Sequence, residues 1–574
     1  MKRIGIFVCH CGTNIAGAVD VERVVQEIRK FPDVVYAVDY KYMCSDPGQA
    51  LIRDHIREDR LDAVVVAACS PTMHEATFRR AGEAAGINAY QTEIANIREQ
   101  SSWVHEKQRE AATQKAIETI QTIVAKVRYN QSLTPFYLPL VKRALVLGGG
   151  IAGMQTALDV ANAGYPVVLV ERTDHLGGHM AELSGLYLNF DSAPGLLQRK
   201  IDAVMDHPNI QVLTNAAVVD VGGYVGNFIV KVEQQGEEMV SYSFDIGAIV
   251  AATGYDLYGK EHLGEYGGGR YPDVIDGLQF EEMLRPDGPT GGKVRRPSDG
   301  QVPQEVVWVQ CAGSRDPELH MAYCSKVCCM YVAKQSMAYK QHVPGGHATV
   351  FYIDIRSQGK GYEEFVQQAM EQHKVLYIRG KASKVFQEAS NDGRVTVWGV
   401  DTLTGLPLEV EADLVVLATA TVPRADSVEL GQRLRVGTDE HGFFSEAHPK
   451  LRPVESLTAG VFLAGAAQFP KDIPETVAQA SGAASKVLSL FSQRLMVAEP
   501  TVAYVDAELC SGCGLCIPAC PYDARSMHDW LHIATVNAAL CQGCGACTMV
   551  CPNKACQVRN LTHRQILSMV EAYL

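Results

Sequence analysis

The sequence predicts a multidomain α/β protein, and three observations carry that expectation. Its 574 residues exceed what one hydrophobic core organises, and roughly three to five domains of ordinary size fit. Short apolar runs at 4–8, 63–68 and 306–309 have the length and composition of buried parallel strands. Residues 144–171 read as strand, glycine turn, helix and strand, the unit from which doubly wound sheets are built.

Composition narrows the function. Hydrophobic content of 47% with 20% charged residues is that of a globular chain. The formal charge of −13 argues against nucleic acid, because phosphate binding needs a basic footprint. No run approaches the roughly 20 apolar residues of a transmembrane helix, and the first residues lead into a cysteine pair rather than a secretory pattern. The expectation is a cytoplasmic protein. Seventeen cysteines are many for that compartment, where grouped thiols signal metal or redox chemistry.

The first domain, 1–135, carries Cys9, Cys11, Cys44 and Cys69. Cys9 and Cys69 each follow a strand-like run, so two parallel strands ending together would bring their thiols to one sheet edge, where α/β folds keep their sites. A cluster, a zinc ion or a reactive Cys-x-Cys pair all fit this spacing. A helical stretch at 104–127 closes the domain.

The next domain is split, 140–255 and 410–495. Gly148 permits the tight turn, Gly150 lets a pyrophosphate approach the backbone, and Gly153 allows close helix packing. The following helix N-terminus attracts the pyrophosphate, and Glu171 stands where a ribose is bound. Gly177-Gly178-His179-Met180, Thr253-Gly254 after an apolar strand, and the late segment 460–465 resemble the flavoprotein disulfide reductases, which favours FAD over NAD. That likeness implies a split Rossmann-type FAD domain of the thioredoxin-reductase type. It implies cofactor contacts from Gly148, Gly150, Gly153, Glu171, Arg172, Gly178, Thr253, Gly254, Gly465, Ala466, Gln468 and Thr476.

A Rossmann-like domain at 256–409 is inserted between the two flavin segments, with a Gly/Pro-rich surface excursion at 264–303. Where a phosphate-binding loop should follow its strand, the chain has Cys311-Ala-Gly-Ser-Arg315 and then Cys324, Cys328 and Cys329. Those four thiols fit one cluster, a redox disulfide or inert buried cysteines. A cluster there would take the nicotinamide nucleotide's entry, so the chain is not expected to oxidise NAD(P)H itself.

Beyond a linker at Glu499-Pro500, the module 500–574 contains Cys510-x-x-Cys513-x-x-Cys516-x-x-x-Cys520-Pro and Cys541-x-x-Cys544-x-x-Cys547-x-x-x-Cys551-Pro. This is the bacterial ferredoxin run twice, in which the fourth cysteine of each run ligates the other cluster. One [4Fe–4S] cluster would use Cys510, Cys513, Cys516 and Cys551; the other, Cys541, Cys544, Cys547 and Cys520. Sixteen cysteines thus fall into four sets of four, leaving Cys556 as a buried or neighbouring thiol.

The segments 8–12, 43–48, 69–75, 311–315, 323–329 and 470–474, in this order, resemble the HdrA-type subunit of heterodisulfide reductase from residue 1 to about 552. The resemblance implies a cluster on Cys9, Cys11, Cys44 and Cys69 and another on Cys311, Cys324, Cys328 and Cys329, four [4Fe–4S] clusters in all. It also implies a flavin contact from Lys334, whose alternative is a solvated lysine. It further implies flavin-based electron bifurcation or its reverse, with ferredoxin and HdrB- and HdrC-like subunits as partners. Hydrogenase-, formate- or acyl-CoA-linked oxidoreductase subunits are alternatives, around a homodimer core. The rival readings are a non-bifurcating electron relay and an NAD(P)H-dependent disulfide-reductase-like enzyme. Two departures stand out. Residues 190–250 lack the extra ferredoxin module of long family members, and at Gly465-Ala466-Ala467 the acid usual in flavin reductases is an alanine.

Overall fold

The computed structural model of the chain describes residues 2–387 and 393–574. It forms two compact units, residues 1–138 with 497–574, and residues 139–496.

In the first unit a four-stranded parallel sheet runs Val34–Tyr40, Ile4–Cys9, Ala63–Ala68, Thr92–Asn96. The two central strands are buried along their whole length, which is why they read as continuous apolar runs. Ser45 caps helix Asp46–Glu58 through the Gly48 amide, and Pro71 opens helix Pro71–Ala85 directly after Cys69-Ser70. The chain therefore turns sharply at Cys44 and Cys69, above the ends of the strands. Helix Arg109–Val127 begins later than the predicted stretch. It packs against the C-terminal helix His563–Tyr573, where Gln565 donates to Asn130 and to the Lys126 carbonyl. Glu499, predicted to be linker, pairs with Arg79 at 3.2 Å. The ferredoxin-like module consists of two small antiparallel pairs, Ala503–Val505 with Cys556–Val558 and Arg525–Met527 with Ala534–Val536.

The second unit repeats one design twice. A five-stranded parallel sheet ordered Val461–Leu463, Ala248–Ala251, Ala144–Leu147, Val167–Val170, Ile210–Leu213 is accompanied by a three-stranded antiparallel meander at 216–246. A second parallel sheet, Val274–Asp276, Leu414–Thr419, Glu305–Ala312, His347–Tyr352, Leu376–Arg379, has its own meander from Ala382–Phe386, Val395–Asp401 and Leu406–Ala412. This is the doubly wound α/β build that the sequence predicts. The first sheet draws its edge strand from residues some 200 further along, the signature of a split domain.

Two expectations need correction. Leu414–Thr419 lies inside the second sheet, so that sheet extends past the boundary placed at 409; an unbroken buried strand with no compositional break hides the crossing. The stretch 264–303 is not wholly a surface excursion. Its centre supplies strand Val274–Asp276 and helix Gly277–Leu284, whose Phe280 and Glu281 are buried, and its flanks bury Tyr266 and Val294 as well.

Candidate functional site

A cavity of about 530 Å³ opens at the carboxyl ends of the first parallel sheet. Its size is typical of a cofactor site, and its place is where doubly wound sheets bind ligands. Of the predicted residues, Gly148, Gly150, Glu171, Arg172, Gly178, Thr253, Gly254, Ala466 and Thr476 line it. Gly148 has φ of 107°, and its Cβ would strike the Ala252 carbonyl at 2.4 Å, so the turn admits glycine alone. A Cβ on Gly150 would meet nothing within 4 Å. That open cradle, beside the N-terminus of helix Ile151–Asn162, fits a pyrophosphate that needs close approach to backbone N–H groups. The Glu171 carboxylate is buried and accepts from the Gly149 amide at 2.6 Å and from Thr173 at 2.8 Å. It is thereby fixed at the mouth of the cradle.

Three predicted contacts lie outside the cavity wall. Gly153 packs its helix onto the strand, since a Cβ there would sit 1.8 Å from the Gly148 carbonyl. Gly465, at φ 70°, shapes the turn after strand Val461–Leu463. The Gln468 amide is occupied by Glu446, Lys471 and Gln479. Lys334 is also absent from the wall. It is buried, donating to the Gly185 carbonyl at 2.8 Å and pairing with Glu281 at 2.6 Å, which overturns the alternative of a solvated lysine.

The wall also holds residues beyond the predicted contacts. Lys471 stands in the segment 470–474, which carries part of the family resemblance, without a predicted contact of its own. Its ammonium lines the wall, held by Gln468 and by the Phe469 carbonyl at 3.1 Å. Burial, reinforced by Lys326, lowers its pKa to about 8. Next to it, Asp472 caps helix Ile473–Phe491 through the Glu475 amide, presenting Ile473 and Thr476 to the cavity at the positive helix end. His179 is likewise on the wall. Burial works against its proton, but Glu182 and the Tyr255 carbonyl outweigh that and raise its pKa.

The mid-chain cysteines stand beside this cavity. Cys311, at φ 57°, is near the end of strand Glu305–Ala312, and Cys328 and Cys329 are the first residues of helix Cys328–His342. Burial, then the neighbouring thiols, pushes Cys311 up to about 12 and Cys328 well above its ordinary value. Cys328 bears electrostatically on Tyr255, a wall residue of the cavity. Lys326, between Cys324 and Cys328, is paired with Glu475 in the first turn of helix Ile473–Phe491. Arg315 is engaged bidentately by Asp354 at 2.7 and 3.0 Å, and Ser314 by Ser325.

The first unit gathers thiols in the same manner. Cys9 ends one strand and Cys69 directly follows the parallel strand beside it, and each senses Cys11 and Cys44. The Cys9 sulfur accepts from the Cys11 and Met43 amides at 3.3 and 3.4 Å, and Arg98 approaches Cys11 at 3.5 Å. Burial pushes Cys69 up to about 11. In the ferredoxin-like module, Cys510, Cys513, Cys516, Cys551 and Cys556 line one small pocket, while Cys547 senses Cys541 and Cys544. All seventeen cysteines are free thiols. Burial raises Cys9, one half of the Cys-x-Cys pair, which disfavours its reading as a reactive nucleophile, because such a thiol needs a depressed value. Buried sulfurs that receive amide N–H groups instead suit thiolates neutralised by iron. Among the described residues no three His, Cys, Asp or Glu converge on a single metal ion. A four-iron cluster gives each thiolate its own iron and does not require that convergence.

Comparison with known proteins agrees with this geometry. Residues 144–193 match the FAD dependent oxidoreductase family, and residues 509–555 the 4Fe-4S dicluster domain. A nucleotide cavity in a flavin-oxidoreductase fold, combined with a dicluster module, defines an iron–sulfur flavoprotein oxidoreductase. The HdrA-type subunit of the H(2):CoB-CoM heterodisulfide,ferredoxin reductase of Methanothermobacter thermautotrophicus is 40% identical over 92% of this chain and 91% of its own. The first of two HdrA-type iron-sulfur subunits of the CoB--CoM heterodisulfide reductase of Methanopyrus kandleri is 40% identical over 100% of this chain and 98% of its own. The corresponding subunit of the ferredoxin:CoB-CoM heterodisulfide reductase of Methanosarcina mazei is 39% identical over 99% and 81%. The chain belongs to the HdrA family of heterodisulfide reductase subunits. Its alignment with the Methanothermobacter protein runs over 600 positions although the chain has 574 residues, so that relative carries insertions this chain lacks.

Proposed function

We propose that this chain is the electron-distributing subunit of a heterodisulfide-reductase-like complex, with one FAD in the cavity and four [4Fe–4S] clusters on the four cysteine sets. The observation that carries the reading is the adjacency of cavity and mid-chain thiols, through Tyr255 and Cys328 on one side and Glu475 and Lys326 on the other. When bound, FAD supplies the exchange between two-electron and one-electron chemistry. The chain's own groups do the rest. Gly150 and the helix after it would seat the pyrophosphate, Glu171 would orient the adenosine end, and Lys471 with the positive end of helix Ile473–Phe491 would hold the flavin end. The Glu281–Lys334 pair stiffens the loop at Gly185 beside this end.

In this reading Cys311, Cys324, Cys328 and Cys329 beside the cavity, and Cys9, Cys11, Cys44 and Cys69 in the first unit, would hold one-electron carriers that serve an HdrB- or HdrC-like partner, and the cysteines of the C-terminal module would hold those that serve ferredoxin. The relatives' names, which couple heterodisulfide to ferredoxin, support bifurcation or confurcation as the overall reaction. A homodimer core is the assembly that goes with it. Hydrogenase-, formate- or acyl-CoA-linked subunits would dock at the same ports. Arg315, tied to Asp354, favours this reading over an NAD(P)H-dependent reductase.

The test is anaerobic purification of the complex, metal and flavin analysis, and redox titration. About 16 irons and one FAD per chain, with no accumulating half-reduced flavin, support the proposal. A stable half-reduced flavin would leave the non-bifurcating relay, and rapid flavin bleaching by NADH with the isolated chain would favour the reductase.

A further inference from the structure

The ferredoxin-like module contains a charge that its small apolar core does not call for. Arg525 opens strand Arg525–Met527 and is 6% exposed, among Ala503, Cys516, Ala534, Cys547, Cys556 and Val558. A guanidinium cannot shed its proton in a protein, so burying it requires a compensating anion. Its Nη2 donates to the Cys547 sulfur at 2.8 Å, and its Nη1 is buried without a partner. The side chains that bear on it electrostatically are cysteines: Cys547, Cys556 and Cys516.

The two halves of the module make the asymmetry plain. Arg525 follows Cys520-Pro-Tyr-Asp-Ala, and Cys556 follows Cys551-Pro-Asn-Lys-Ala, so the two occupy equivalent places in the repeat. One half thus offers a permanent cation where the other offers a thiol. Reducing an iron–sulfur cluster adds negative charge, and a nearby buried cation stabilises that charge more than solvent would. Hydrogen bonds to the ligand sulfurs act in the same direction.

We propose that Arg525 sets the order of potentials in this module. Bonded to Cys547, it holds the cluster on Cys541, Cys544, Cys547 and Cys520 above the one on Cys510, Cys513, Cys516 and Cys551. One electron delivered to the module would then rest on the cluster of Cys541, Cys544, Cys547 and Cys520, the one of higher potential, rather than on that of Cys510, Cys513, Cys516 and Cys551. The orphan Nη1 is the donor left for a sulfide of a cluster. The inference rests on the reading that the module holds two clusters.

The test uses the full chain, purified anaerobically, titrated with redox mediators and followed by electron paramagnetic resonance. Cys544→Ser, at an exposed ligand, marks its own cluster by changing that spectrum alone. Arg525→Gln should lower the midpoint of the marked signal and leave the other nearly in place. At the wild-type midpoint the reduced-to-oxidised ratio should fall at least tenfold, which is 59 mV for a one-electron couple. Arg525→Lys, keeping the charge, should recover most of the shift. Unchanged potentials with full iron content would overturn the proposal, as would equal shifts of both clusters. Loss of the marked cluster in both Arg525→Gln and Arg525→Leu would make the residue a structural support and overturn it too. A wild-type module without iron–sulfur signals would instead sink the cluster reading beneath it.

Discussion

The ammonium of Lys334 and the carboxylate of Glu281 meet at 2.6 Å with side chains 4% and 3% exposed, in the second unit. Burial alone would raise the Glu281 pKa, but Lys334, Ser184 and Gln335 together hold it below the ordinary carboxylate value. Removing one partner leaves a stranded charge, so Lys334→Met or Glu281→Leu should each destabilise by ~3–5 kcal/mol, and the double variant by much less. Thermal unfolding of the three variants decides it. Because the folded-state value is depressed, the pair's contribution is complete above pH 4.5 and disappears as pH falls through the lowered value. Acid unfolding of the double variant should therefore be less steep.

Lys471 predicts a pH dependence of cofactor retention. With a pKa lowered to about 8 it is charged below that pH and attracts an anionic cofactor. Affinity for FAD should be full below pH 8 and weaken as pH climbs through about one unit above that, by roughly tenfold in all, one charge contact of ~1.4 kcal/mol. Lys471→Met should show the weak affinity at every pH, and Lys471→Arg should remove the dependence without the loss. Flavin fluorescence during dialysis reads this directly.

Two glycines of the nucleotide turn should fail in different ways. Gly153→Ala drives a methyl into the Gly148 carbonyl at 1.8 Å and should cost about 1–3 kcal/mol of stability. Gly150→Val has room for its Cβ and an ordinary φ of −74°, so the protein should fold. Its side chain would occupy the pyrophosphate cradle, and FAD should be lost. Calorimetry together with the FAD absorbance ratio separates the two outcomes.

The cysteine sets should lose iron one at a time. Alanine at Cys69, Cys311, Cys513 or Cys544 should each remove about four irons and one spectroscopic signal. Cys556→Ala should retain every iron, because Cys556 is the fifth thiol on its pocket. Should Cys556→Ala lose a cluster while Cys551→Ala does not, the ligand assignment in that pocket must be exchanged.

Much of the site is legible before the fold. The glycine turn at 148–153 and the two cysteine runs near the C-terminus are local patterns, and local geometry enforces them. Glu171 and Thr253 follow strands whose apolar runs are equally visible. Lys471 is harder to single out, because its distinction lies in desolvation by elements distant in sequence. Lys334 shows only its helix position along the chain; its partner Glu281 lies in a stretch whose Gly/Pro content reads as surface.

The sequence by itself determined the local patterns: the doubled cysteine run of a dicluster module, the glycine turn of an FAD-oxidoreductase domain, and the alternation of strands and helices. Local spacing suffices for those, since a tight turn or a Cys-x-x-Cys run constrains only its own neighbours. Tertiary structure alone decided that residues 1–138 and 497–574 make one unit, that Leu414–Thr419 crosses the predicted boundary, and that Arg525 sits buried against Cys547 with one nitrogen unpartnered. Those depend on which buried surfaces meet across long stretches of chain, and the charge a side chain feels is set by what surrounds it there.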